Sequence, residues 1–389
     1  VLFKFNCYSS DISDTRKALN DVSTQCHPAN KPTIILVYFD VQLNAQVIWQ
    51  WLTLHFPATP FILSSSCQGS LCHNKHDDTG FATLTITTIE DDSGQYHICA
   101  GDTQNQSIYD SAQQTAKHLL TDINSEPPEL LWVTLTPGDE EAALNGIQDV
   151  IGTRVPIVGG SASDNDVTGQ WQIFTHASSE PCQMAIASLT PSVPISFSFS
   201  SGYAPSGRTT EVTESSGRQV TTLDGIDAAS QYNHLTNGAI TEQLHGGNIL
   251  GQTSFHPIGR EVSKDEYLLS HPERVNNDGT MTLFSQLAQG DHLHIMQGST
   301  ESLLQRAHKV IQSAQNGLAE PEISGCLLIY CAGCMLSVKP QFEQVSKNIK
   351  KHFSATPVTG AYTFGEQGCF LDGQSRHGNL MISAVVFGV

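Results

Sequence analysis

Leu130-Leu131-Trp132-Val133-Thr134-Leu135 and, further on, Pro156-Ile157-Val158-Gly159-Gly160-Ser161-Ala162 decide the fold. The first is an apolar run of strand length. The second is a shorter apolar run after Pro that ends in small residues. Between them, Thr136-Pro137-Gly138-Asp139 offers an N-cap, a Pro at the first helical position and an acid in the first turn. Leu144, Ile147 and Ile151 then share one helical face, and Gly152 stops the helix. The whole reads as strand, helix, strand.

The same layout occurs twice more. Thr33 to Phe39 precedes Pro60-Phe61-Ile62-Leu63 and the turn Ser64-Ser65-Ser66-Cys67-Gln68-Gly69. Cys326-Leu327-Leu328-Ile329-Tyr330 precedes Pro357-Val358-Thr359-Gly360-Ala361-Tyr362-Thr363. Ile62 follows Leu36 by 26 residues, Ile157 follows Leu131 by 26, and Val358 follows Leu328 by 30. Leu43, Val47, Trp51 and Leu54 form one intervening helical face; Phe342, Val345, Ile349 and Phe353 form another. Units of this length favour parallel strands joined by a right-handed crossover. Later strands are expected at Ala82 to Ile89, Met184 to Leu189 and Leu380 to Phe387. The expected fold is mixed α/β: two lobes of repeated strand-helix-strand units, with mixed sheets packed together and helices outside. The boundary falls near the Ser-, Pro-, Gly- and Thr-rich stretch 191–218, giving halves 1–195 and 196–389.

Composition narrows the function. The chain of 389 residues carries 38 acidic and 19 basic side chains, a net charge of −19. That balance opposes nucleic acid, whose phosphates need clustered Lys and Arg, and equally an anionic membrane surface. Apolar residues at 39% suffice for a sizeable core. The longest apolar run, Ile34 to Phe39, is far short of the about 20 residues that span a bilayer. The start, Val1-Leu2-Phe3-Lys4-Phe5, lacks the pattern of a secretion signal. Ten cysteines in this length make no disulfide scaffold. The expectation is a cytoplasmic chain with mostly reduced thiols.

Several enzyme patterns are absent: G-x-S-x-G, the phosphate-binding P-loop, H-E-x-x-H, and G-x-G-x-x-G opening a strand-helix unit. Ser161 stands at a strand end with no His or acid beside it in sequence, so no enzyme is expected. The Gly159-Gly160-Ser161 turn offers backbone amides to an anion. Cys331-Ala332-Gly333-Cys334 follows a strand and opens a helix, so a helix N-terminus could stabilise a thiolate; a redox pair and plain buried cysteines are both open. Met335 follows the pair, which rules out C-x-x-C-H haem attachment. His292 and His294 share a strand face, as a metal pair or as its polar side. His73 and His76 with Cys67 and Cys72 suggest zinc, against a solvated loop.

Four motifs in order resemble those of FIST domains. Val158-Gly159-Gly160-Ser161-Ala162-Ser163-Asp164 is similar to the glycine-serine turn of the family's N-terminal half, and Ser65-Ser66-Cys67-Gln68-Gly69 to its earlier turn. Leu223-Asp224-Gly225-Ile226-Asp227-Ala228 followed by Tyr232 resembles the start of the C-terminal half. Thr363-Phe364-Gly365-Glu366-Gln367-Gly368 resembles its closing signature. Cys331-Ala332-Gly333-Cys334 departs from the usual C-x-G-R by a Cys in place of Arg.

The resemblance implies a sensory module for a small ligand, with Gly159, Gly160, Ser161, Gly365 and Glu366 as ligand-binding residues. A stand-alone chain of this layout resembles the nitric-oxide-sensing subgroup, which binds a b-type haem (heme b) and its iron and regulates a sensor histidine kinase in two-component signalling. For a haem, one imidazole, an apolar slot and partners for two propionates are needed. His256 in Ser254-Phe255-His256-Pro257-Ile258-Gly259-Arg260 is the expected axial ligand. Phe255 and Ile258 would form the wall, and Arg260 would reach a carboxylate. His271 and His294 are alternates. Two other readings stay open: a haem-free sensor of an amino acid or small anion, and a thiol redox protein using Cys331 and Cys334. A homodimer is compatible with all three.

Overall fold

Residues 3–26, 31–73, 80–102, 106–354 and 356–389 are described by a computed structural model. The expected unit is present three times, each copy extended by one strand and one helix before it. The first copy runs β1 (Phe3–Ser10), α1 (Thr15–Gln25), β2 (Ile34–Asp40), α2 (Ala45–His55), β3 (Phe61–Ser66), β4 (Ser70–His73) and β5 (Leu84–Asp91). The second runs β6 (Gln95–Gly101), α3 (Ile108–Asp122), β7 (Leu130–Leu135), α4 (Glu140–Ile151), β8 (Ile157–Ser161), β9 (Ile173–Thr175) and β10 (Met184–Thr190). The third opens with β11 (Ile195–Ser201) and is then interrupted.

The interruption is a β-rich lobe. It holds β12 (Ala204–Ser216), β13 (Gln219–Leu223), β14 (Ile226–Asp227), α5 (Ala228–Leu235), β15 (Gly247–Asn248) and α6 (Leu250–Thr253). It continues through β16 (Ile258–Ser263), β17 (Glu266–Ser270), β18 (Pro272–Val275), β19 (Met281–Leu283) and β20 (His292–Gln297). Val212, Leu223, Tyr232, Ile258 and Ile295 build its own core. The third copy resumes with α7 (Thr300–Gln315), β21 (Ile323–Cys331), α8 (Ala332–Val338), α9 (Glu343–His352), β22 (Val358–Thr363), β23 (Glu366–Cys369), β24 (Ser375–Gly378) and β25 (Met381–Gly388). A cut between residues 195 and 196 therefore runs at the start of the third repeat.

In each repeat the two strands of the unit are parallel. Leu36 stands opposite Ile62, Leu131 opposite Ile157, and Cys326 opposite Val358. Val358 falls opposite Cys326 rather than Leu328 because the third crossover carries two helices, α8 and α9, and is longer. The last strand of each repeat lies antiparallel beside the first of the pair, as β5 on β2, β10 on β7 and β25 on β21. The repeats then exchange edge strands in a ring. β4 pairs with β22, β23 with β8, and β9 with β3. Each repeat thereby covers a neighbour's sheet edge, which would otherwise offer unpaired backbone groups.

Strand alternation sorts the side chains. Ile34, Leu36, Leu130, Trp132, Leu327 and Ile329 meet in one inner core shared by the three sheets. The residues between them, such as Val37, Val133 and Leu328, face the helices. The expected architecture of mixed sheets packed together under outer helices is present. One detail differs: α4 begins at Glu140 with Asp139 as N-cap, so Thr136 and Pro137 lie in the preceding turn. Gly138 there has φ +137°, outside the helical range.

Cys7 and Cys72 form a disulfide between β1 and β4; eight further cysteines are free. Among the described residues no helix is long and apolar enough to cross a membrane.

Candidate functional site

The parallel pairs end at equivalent register positions, where Ser66 stands opposite Asp40, Ser161 opposite Leu135 and Thr363 opposite Cys331. All three hydroxyl residues are buried, and the turns after them touch. The Tyr362 amide donates to Ser66 Oγ at 2.8 Å, and Ser163 Oγ donates to the Tyr362 carbonyl at 2.5 Å. Gly160 sits where a Cβ would lie 2.6 Å from Thr363 Cγ2, so its glycine serves the close approach of two repeats.

The corner of the second repeat is filled with paired polar groups. Ser161 Oγ donates to Glu140 Oε1 at 2.7 Å, and Gln367 Nε2 donates to Ser161 Oγ at 3.2 Å. Arg218 reaches over from the inserted lobe and donates to Glu140 Oε2 at 2.6 Å and Glu141 Oε2 at 2.7 Å. His377 lies 4.0 Å from Glu140 Oε1 and 3.1 Å from Gln367 Nε2. Burial alone would raise the Glu140 pKa, but His377, Arg218 and the Ser161 hydroxyl overcome it and pull it to about 2. Among the described residues the one cluster of three or more metal-ligand types is Glu140, Glu141 and His377, and the Arg218 guanidinium already bridges its two carboxylates.

The corner of the third repeat is different. There a cavity of about 280 Å³ opens between the ends of β21 and β22, the start of α8, and the inserted lobe. Phe255, Phe284, Phe364, Leu250 and Leu336 give it apolar walls. Its position outside the carboxyl ends of parallel strands is where open α/β sheets bind ligands. Two lining side chains carry unused polar atoms. His271, between β17 and β18, is 4% exposed, and its Nε2 has no hydrogen-bond partner. Burial lowers its pKa to about 4, so the ring is neutral at pH 7. Asn379, at the turn into β25, is 2% exposed; its Oδ1 accepts from the His271 amide at 3.2 Å, and Nδ2 has no partner. Leu380, next in the turn, has φ 56°.

Sequence models of two domains match the chain: the FIST N domain over residues 33–226 and the FIST C domain over 228–369. The chain belongs to the FIST family. FIST domains are sensory domains of signal transduction that bind small ligands. No curated protein matches the chain. Among solved structures, a cyanuric acid hydrolase from A. caulinodans aligns over 100% of this chain and 99% of its own, at 8% identity and TM-score 0.41. No argument about activity follows from so distant a likeness.

The residues expected for the FIST ligand fall into three groups. Gly159, Gly160 and Ser161 are the last residues of β8 rather than a free turn; Gly160 stands opposite Glu366 and Gly159 opposite Gln367 in the ladder. Gly365 leaves room for the His377 ring and Ser161. Glu366 is fully buried behind the cavity, accepting from Thr363 Oγ1 at 2.8 Å and the Met381 amide at 3.0 Å, and burial raises its pKa well above the usual range. These five residues hold the ring of repeats together.

The expected haem group is dispersed. Phe255 lines the cavity, but Ile258 is in the inserted lobe's core and Arg260 is paired with Asp291 at 2.8 Å. His256 is half-buried outside the lining; its carbonyl accepts from Tyr232, and burial, then Arg208, lowers its pKa. His294 packs edge-on against Tyr267 on the inserted sheet. Only His271, an alternate, enters the cavity. Burial keeps its ring neutral, as a metal-ligating imidazole must be. The rest does not fit a haem: no Lys or Arg lines the cavity to meet propionates.

Cys331 also lines the cavity and hydrogen-bonds Cys334. Burial pushes the Cys331 thiol well above its ordinary pKa, which favours the plain buried cysteine over the stabilised thiolate, the two readings left open by the sequence. Of the residues that suggested zinc, Cys72 is in the disulfide, His73 is buried in β4, Cys67 is buried, and His76 lies outside the described residues. Asn379, Phe284 and Arg218 carried no motif in the sequence.

Proposed function

We propose that this chain is a sensory protein that holds one small molecule in the cavity between its third repeat and its inserted lobe, without transforming it. The observation that carries the reading is the apolar cavity itself, whose lining includes His271 and Asn379, two almost fully buried residues that each keep a polar atom without a partner. An unsatisfied buried polar group costs about 1–3 kcal/mol. A ligand that draws either side chain into a hydrogen bond recovers part of that cost.

The report to a partner would run through the lobe contact. His377 Nε2 lies 3.3 Å from the carbonyl of Phe284, a wall residue, and 4.0 Å from Glu140. The Gln286 amide donates to Glu141 Oε1 at 2.8 Å. A ligand that moves the Phe284 segment therefore acts on the contacts that seat the inserted lobe on the second repeat. A histidine kinase, as in the subgroup the sequence resembles, would bind the two lobe positions with different affinity. The Ser161 constellation supports binding rather than turnover: the hydroxyl is fully buried and points at a carboxylate clamped by Arg218.

The test is a thermal-shift screen against small metabolites with wild type, His271→Phe and Asn379→Leu. Hits that stabilise the wild type and neither variant are expected. Hits indifferent to both substitutions, or conversion of a bound compound, would overturn the reading. Haem with nitric oxide is measured separately by hemin titration, where no Soret band beyond the broad one of free hemin is expected. A band that shifts with nitric oxide and disappears in His271→Ala, but survives in His256→Ala, would restore the haem reading and move its ligand to His271.

A further inference from the structure

Three properties of the cavity lining restrict what it takes. We propose that its ligand is an uncharged, largely apolar molecule the size of one or two aromatic rings, and neither an amino acid nor a carboxylate. This rests on the cavity being the sensory site.

The first is charge. Among the described residues the lining holds no Asp, Glu, Lys or Arg. Its two titratable side chains, His271 and Cys331, are both held neutral at pH 7 by burial. A carboxylate, an ammonium group or a zwitterion would enter without a counter-charge, and an unpaired buried ion is strongly disfavoured. The second is the state of the hydroxyl groups. Ser254 Oγ donates to the Leu250 carbonyl at 2.7 Å, Ser337 Oγ to the Gly333 carbonyl at 2.7 Å, and Thr363 Oγ1 to Glu366 Oε1 at 2.8 Å. At the start of α8 the Cys334 amide donates to the Cys331 sulfur. An oxyanion would find these donors engaged.

The third is the origin of the apolar wall. Phe255 and Phe284 come from the inserted lobe, Leu336 and Phe364 from the third repeat, and Val167 from the loop after β8 in the second. Val167 has φ 59°, a backbone that is a genuine outlier for a branched side chain. The fully buried Asp164 holds it there, accepting from the Val167 amide at 2.6 Å and the Gln170 amide at 2.8 Å. The fold thus keeps a branched apolar side chain at the cavity in a conformation that asparagine or glycine would take more readily. The volume enclosed, about 280 Å³, is nearly twice the about 150 Å³ that holds a benzene ring.

The experiment titrates the full chain, carrying ¹⁹F-labelled phenylalanine, with toluene, indole, benzoate and free phenylalanine. It follows the heat of binding and the resonances of Phe255, Phe284 and Phe364, each identified by its loss in Phe255→Leu, Phe284→Leu or Phe364→Leu. Toluene and indole are expected to bind and move these wall resonances. Benzoate and free phenylalanine are expected to bind about tenfold more weakly or worse. Val167→Asn is expected to weaken toluene by about threefold through lost apolar contact, without lowering the urea midpoint, because asparagine tolerates the backbone that valine strains. A lower midpoint with unchanged toluene affinity would overturn the part given to Val167. Benzoate or free phenylalanine binding as tightly as toluene, with the wall resonances moving, would overturn the ligand class and leave the cavity reading standing. If none of the four probes moves a wall resonance, the class and the cavity reading fall together.

Discussion

The second and third repeats place equivalent corners at the ends of their parallel strands and fill them in opposite ways. In the second, the inserted lobe delivers Arg218, and Glu140, Glu141, Ser161, Gln367 and His377 close around it. In the third, the same lobe delivers Phe255, His271 and Phe284, which wall a cavity together with Asn379 of the third repeat. One backbone plan thus gives a clasp and a receptacle. The difference lies in side-chain chemistry. A buried acid with an Arg and hydroxyl partners fixes geometry, whereas rings that do not fill the space leave room for a guest.

The comparison breaks most sharply at the clasp. Arg218→Ala leaves Glu140 buried and without its guanidinium, and removing one partner of a buried pair costs about 3–5 kcal/mol. Urea denaturation should show that loss, and Glu140→Gln in the same background should recover most of it. No recovery would mean that Arg218 acts through packing alone.

Acid should separate the two corners by pH. His271 has a pKa of about 4 in the fold against 6.5 for a free histidine. Between those values the unfolded chain binds one more proton, so stability is full above pH 6.5 and falls as pH drops toward 4. At 1.36 kcal/mol per pKa unit the loss reaches about 3 kcal/mol. His308 shifts in the same direction, so the measurement is the difference between wild type and His271→Phe, the variant losing less over this range. Glu140, lowered from 4.5 to about 2, contributes stability above pH 4.5 that is lost as pH falls through about 2. The receptacle should therefore weaken first and the clasp second. Melting curves in which His271→Phe follows the wild type between pH 6.5 and 4 would contradict the order.

The smallest effect concerns the thiols. Brief alkylation of the native chain should label the partly exposed Cys26 ahead of Cys182, whose thiol burial pushes up to about 12, and spare Cys331 and Cys334, with little change in stability. Rapid labelling of Cys331 would return the redox reading to consideration.

Much of the scaffold was readable in the chain. The runs at Leu36, Leu131 and Leu328, their helices and their Pro-led second strands all lie where period and punctuation put them, because those signals act between residues a few positions apart. The third crossover's extra helix showed only as a longer spacing. Of the functional residues, His271 was visible as a histidine before a proline, and nothing distinguished it from His256. The preference for His256 came from its neighbours in sequence, Phe255, Ile258 and Arg260, which the fold sends to a cavity wall, a separate core and an ion pair.

By itself, then, the sequence determined the class of fold, the repeated unit and the family, since each is carried by local periodicity or by short motifs. Only the tertiary structure decided that the repeats close a ring by trading edge strands, that a whole lobe interrupts the third, and that His271 meets Asn379, 108 positions away, at one cavity. Pairing and burial depend on which distant segments share space, and a side chain is left with an unused atom only after every neighbour has been placed.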